Sequence, residues 1–132
     1  MCKAEWQLAG ILMLILTVSP RPAFAGSEQK PCEDAATQLE MNNCAEQDAN
    51  ASDKALNEVY RSVLNKLGPE DKNALKSTQR GWIMYRDDDC AAETALYAGG
   101  SIAPLIRFSC LAKLTKERTA EIRRVYVHFL GD

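Results

Sequence analysis

The sequence predicts an all-α fold, an elongated antiparallel up-down-up bundle of three helices, on three observations. Apolar residues recur at steps of three and four, as on one face of a helix. No stretch alternates apolar and polar β-branched residues as a strand would. Two glycine-bearing breaks, Gly68-Pro69 and Gly99-Gly100, divide the chain into three long segments. With 132 residues, 46% hydrophobic and 26% charged, the chain suits one globular domain. It is too apolar for a disordered chain and too charged for a multi-span membrane protein. Sixteen Lys and Arg against eighteen Asp and Glu leave a net charge of −2, which argues against a generic nucleic-acid binder.

Residues 37–67 hold no Gly or Pro, and Leu56, Val59, Tyr60, Val63, Leu64 and Leu67 form a helical stripe. Asn42, Asn43, Asn50 and Ser52 are weak helix formers, which leaves a kink near 44–52 open. In Gly68-Pro69-Glu70-Asp71, Gly suits a helix end, Pro suits the next first turn, and the acids suit its positive pole. The second helix is expected to run to Ala95 with Leu75, Gln79, Trp82, Ile83, Arg86 and Cys90 on one face. Gly81 within it reads as a site of close packing beside Trp82. Residues 97–103 form a turn, and Pro104 opens a third helix to Phe129. Its inner face is expected to hold Leu105, Phe108, Leu111, Thr115, Arg118, Ile122, Val125 and Phe129. At 1.5 Å per residue each helix would be about 40–45 Å long.

The amino terminus carries an address. Lys3, an apolar run over 8–18, a Pro20-Arg21-Pro22 break and Ala23-Phe24-Ala25 follow the plan of a secretory signal cleaved after Ala25. A membrane anchor needs roughly 20 apolar residues, so the run is short for one. The expected organisation is a signal peptide over 1–25, a polar leader over 26–36 and a helical domain over 37–132. The mature product would carry fourteen basic and seventeen acidic residues, net −3, in the periplasm or outside the cell, with no stable membrane insertion.

Cleavage removes Cys2 and leaves Cys32, Cys44, Cys90 and Cys110, an even set suited to two disulfides in an oxidising compartment. Their spacing holds no C-x-x-C, and no useful His accompanies them, so neither metal nor other cofactor is expected. A hairpin turning near Gly100 sets Cys90 level with Cys110, which pairs those two and leaves Cys32 for Cys44. The second bridge requires the leader to fold back along the first helix. The same mirror construction about Gly68 and Gly100 predicts a polar seam: Asp53 with Arg86, Asn57 with Gln79, and Arg118 against the Trp82 ring. The seam reads chiefly as a device that sets helix register, with a binding site as the alternative.

Catalytic signals are poor. His128 lies four residues from the end and reads as a surface residue; every mature Cys is expected to be bonded. Asp87, Asp88 and Asp89 occupy consecutive helical positions that point in different directions, as in a solvated acidic patch. Ser101 lacks the strand-turn-helix setting of a nucleophile elbow. Gly99, Gly100 and Ser101, at a tip pinned by Cys90 and Cys110, either only turn the chain or, with Asp87, Asp88 and Asp89, offer a binding surface.

Four blocks then suggest a relationship. They are Thr37-x-x-Glu40-Met41-Asn42-x-Cys44-Ala45, Asp53-x-x-Leu56-Asn57-x-x-Tyr60, Gln79-Arg80-x-Trp82-Ile83-x-Tyr85-Arg86-Asp87-x-x-Cys90, and Gly100-Ser101-Ile102-x-Pro104 with Cys110-Leu111-x-x-Leu114-Thr115-x-x-Arg118. Over about 32–122 the chain resembles the lysozyme inhibitor LprI-like, N-terminal domain family of exported bacterial proteins. The resemblance implies a non-catalytic binding protein whose partner is a lysozyme. An envelope interaction module, or an immunity-type partner of a secreted toxin, is the alternative. The chain lacks the lipobox of the lipoprotein for which the family is named, and the motif residues read mainly as framework.

Overall fold

The computed structural model describes residues 32–131. The expected signal peptide and residues 26–31 of the leader lie outside the described residues. Three long helices make up the fold: α1 (Gln38–Lys66), α2 (Pro69–Ala95) and α3 (Ala103–Ile122). A 3₁₀ turn at Cys32–Asp34 precedes them, and a π-helical turn at Arg123–Val127 and a last α-turn at His128–Leu130 follow. No strand occurs among the described residues.

Thr37 starts α1 with a capping box. Its hydroxyl accepts from the Glu40 amide at 3.2 Å, and the Glu40 carboxylate accepts from the Thr37 amide at 2.9 Å. The cap stops the helix, so the preceding turn is free to lie back along it, and Cys32 reaches Cys44 at a Cα separation of 5.6 Å. From there α1 is one uninterrupted helix through 44–52, without the break that its Asn and Ser residues left open. Ser52 satisfies its buried hydroxyl on the Asp48 carbonyl at 2.7 Å, and packing overrides the weak local propensity. At α2, Gly68 takes an extended conformation and Pro69 occupies the first turn with Glu70 and Asp71. The α2–α3 connection turns at Gly99, whose φ of 81° lies in the left-handed region that suits glycine.

Short connections make α2 antiparallel to its neighbours, so α1 and α3 run parallel. Close backbone approach is greatest between α1 and α3, smaller between α2 and α3, and least between α1 and α2. Small buried residues explain the first contact: Ala45, Ala49 and Ser52 on α1, and Ala112, Thr115 and Thr119 on α3. Large apolar side chains gather at the opposite end. Leu56, Val63, Leu67, Leu75 and Ile122 form the core there, with Tyr60, Trp82, Tyr126, Val127 and Leu130 packed around it. The molecule is thus held by bulk at one end, and by small residues and two disulfides at the other.

Two sequence expectations fail here. Val125 and Phe129 are exposed, because the wider π-helical turn shifts the inward positions to Tyr126, Val127 and Leu130. Gly81 does not mark a close approach: it lies on the exposed side of α2, and a Cβ there would meet nothing within 4 Å.

Candidate functional site

A layer of polar side chains crosses the bundle at mid-height. Arg86 projects from α2 with its side chain 13% exposed, and its Nη1 donates to Asp53 Oδ1 on α1 at 2.8 Å. The same nitrogen donates to Thr115 Oγ1 on α3 at 3.2 Å, so one guanidinium ties all three helices. Its Nε donates to Asp87 at 2.9 Å, one residue along α2. The guanidinium carbon lies 5.2 Å from the centre of the Trp82 ring, and Arg118 stands 6.0 Å from that centre. Arg118 Nε donates to Gln79 Oε1 at 3.1 Å, and its Nη1 donates to Glu121 at 2.7 Å. No buried side-chain nitrogen or oxygen among the described residues lacks a partner.

This arrangement corrects the expected Asn57–Gln79 bond. Arg118, a charged donor, takes the Gln79 oxygen, while Asn57 stays exposed at the rim. Thr115 is the member that sequence reasoning missed. The mirror construction relates only helices joined by a turn, whereas Thr115 meets Asp53 across the parallel α1–α3 pair.

Where α1 and α2 stand apart, the layer opens into a cleft of about 160 Å³ lined by Asp53, Leu56, Asn57, Gln79, Trp82, Ile83 and Arg86. Both arginines lie against Trp82, and the Asp53 carboxylate is committed to Arg86. The charged groups of the cleft wall, Asp53 and Arg86, therefore satisfy each other. Among the described residues no three His, Cys, Asp or Glu side chains converge to hold a metal ion, and His128 is exposed.

The remaining sequence-selected residues gather at the disulfide end. Cys90 and Cys110 face each other at a Cα separation of 5.6 Å, and both are buried. Asp87, Asp88 and Asp89 are exposed on α2, with Asp87 paired to Arg86 at 2.8 Å. Gly99, Gly100 and Ser101 are exposed in the connection. The Ser101 carbonyl accepts from Asn42 Nδ2 at 3.0 Å, which ties the first turns of α1 to this loop. Lys116 of α3 pairs with Asp48 of α1 at 2.7 Å, a contact between exposed side chains that adds little stability.

Charge is divided along the long axis. On the disulfide side of the Asp53–Arg86–Thr115 layer, residues 32–53 and 86–116 carry ten carboxylates against four basic side chains. On the other side, residues 54–85 and 117–131 carry five carboxylates against nine basic side chains. The molecule has an acidic pole and a basic pole.

The family model described as lysozyme inhibitor LprI matches residues 30–122, a span that takes in all three long helices and both disulfides. The chain belongs to the LprI lysozyme-inhibitor family. An uncharacterized protein of Rhizobium meliloti (strain 1021) is 36% identical over 124 residues, covering 84% of this chain and 89% of that protein. No solved structure gives a significant match. The LprI span ends at Ile122, the last residue of α3, so the π-helical turn lies beyond it. No helix among the described residues is long and apolar enough to cross a membrane.

Proposed function

We propose that this protein is an exported, non-catalytic inhibitor-like binding protein that captures a lysozyme in the periplasm or outside the cell. Membership of the LprI family over residues 30–122, all three long helices, carries this reading. Two further features support it. Paired cysteines belong to an oxidising compartment, in keeping with a secretory signal over 1–25. A bundle crosslinked by two disulfides, whose buried polar side chains among the described residues all have partners, suits recognition, since a preorganised surface loses little entropy on binding.

The test is a turbidity assay of bacterial-wall lysis with the oxidised protein and a panel of lysozymes. Lysis should fall in proportion to added protein and stop near stoichiometric excess for at least one lysozyme. Undiminished lysis across the panel rejects the reading. Direct release of wall fragments by the protein alone would make it an enzyme instead.

A further inference from the structure

We propose that the acidic, disulfide-braced pole is a docking face for a cationic folded protein, with Leu96 and Tyr97 as its apolar anchors. The proposal rests on the inhibitor-like reading and names the surface that would carry it. Leu96 closes α2 and is 82% exposed; Tyr97 follows it at 41%. Leu39, in the first turn of α1, is 69% exposed, and the Asn42–Ser101 bond brings that turn beside the α2–α3 connection. Ile102 is exposed on the other flank of the loop. A connection between two helices needs only polar turn residues, so large apolar side chains clustered at one tip mark an interaction surface.

Rigidity adds to the case. The Cys90–Cys110 bridge lies just behind Leu96, and Cys32–Cys44 holds the chain before α1 against the same end. Apolar anchors on a braced loop, ringed by charge, reproduce the core-and-rim plan of protein interfaces. Electrostatics select the occupant. Ten carboxylates against four basic groups repel an anionic lipid surface and steer a basic protein inward. The basic half exposes apolar groups too, Ile83, Met84 and Tyr85 beside the polar layer and Val125 and Phe129 at its end, but its charge has the wrong sign for such a partner, and the end pair serves as the internal control.

Binding is measured at two salt concentrations against basic lysozymes and against basic proteins of other kinds, cytochrome c among them. Leu96→Ser/Tyr97→Ser should weaken the wild-type complex about tenfold or more. Asp88→Asn/Asp89→Asn/Glu93→Gln should slow association and flatten its salt dependence, whereas Val125→Ser/Phe129→Ser should leave Kd within about twofold. Hydrogen exchange of the wild-type complex reads the same surface without substitution, with protection expected at 96–103. Unchanged affinity in both acidic-pole variants, or protection confined to 123–131, overturns the proposal. So does a wild-type protein that binds no basic protein of the panel. If basic proteins other than lysozymes bind, no lysozyme does, and the acidic-pole variants lose that binding, the docking face stands and the lysozyme reading falls.

Discussion

Arg86 joins the three helices of the bundle through one side chain. Its guanidinium is mostly withdrawn from water, and Asp53, Asp87 and Thr115 take its donors while the Trp82 ring lies alongside. A buried cation is tolerated only when its donors are used, so removing the partner or the cation leaves polar groups stranded. Arg86→Ala should lower stability by about 2–3 kcal/mol, read from the urea midpoint. Arg86→Lys should recover little of it, because an ammonium lacks the planar fork that reaches α1 and α3 together. Asp53→Ala should be milder, since that carboxylate is half in solvent. The pairing of Asp53 and Arg86 was legible from helix-turn arithmetic, as was Arg118 beside Trp82. Asn57 was misplaced because spacing brings groups near each other without choosing between competing donors.

At the scale of the element, helix boundaries were the most readable feature. Gly68-Pro69 and Gly99-Gly100 act through neighbouring backbone groups, so local chemistry places them; the Thr37–Glu40 capping box that starts α1 emerged only in the structure. The end of α3 behaves differently. A π-helical turn holds more residues per turn than an α-helix, and beyond Ile122 the inward stripe moves round by one position. Hence Ile122→Ala should cost about 2–4 kcal/mol, whereas Phe129→Ser should change stability by no more than about 0.5 kcal/mol. Thermal melts of the two variants check this. A continuous α-helical stripe would have made Phe129 the costly one, because it is the larger side chain.

The whole molecule joins two unlike halves. Large apolar side chains hold the basic pole, and at the acidic pole small residues and cystines take their place. Closing loops of 20 and 12 residues stabilises by roughly 3 kcal/mol each on the chain-entropy model. Replacing Cys90 and Cys110 together by alanine should therefore cost about 3 kcal/mol. In that variant amide exchange should rise first near the acidic pole, while Val63 and Leu75 stay protected. Under limiting reductant, Cys32 and Cys44 should be alkylated first, since Cys32 is exposed and the other bridge is buried. Mass spectrometry of partly labelled protein reads that order.

The sequence by itself determined the three helices, the breaks between them, their antiparallel succession and the two cystines, Cys90–Cys110 by hairpin symmetry and Cys32–Cys44 by elimination. Each follows from groups close along the chain or from helices joined by a short turn, where a count of residues is also a measure of distance. Tertiary structure alone decided the rest. The tightest contact, between the parallel α1 and α3, joins helices that no turn connects; small residues are buried on both, and its register, with Asp53 beside Thr115 and Asp48 beside Lys116, is not set by any count along the chain. That contact recruits Thr115 to Arg86 and leaves the cleft between α1 and α2. The division into acidic and basic poles is likewise spatial, since distant stretches of chain share each end only after folding.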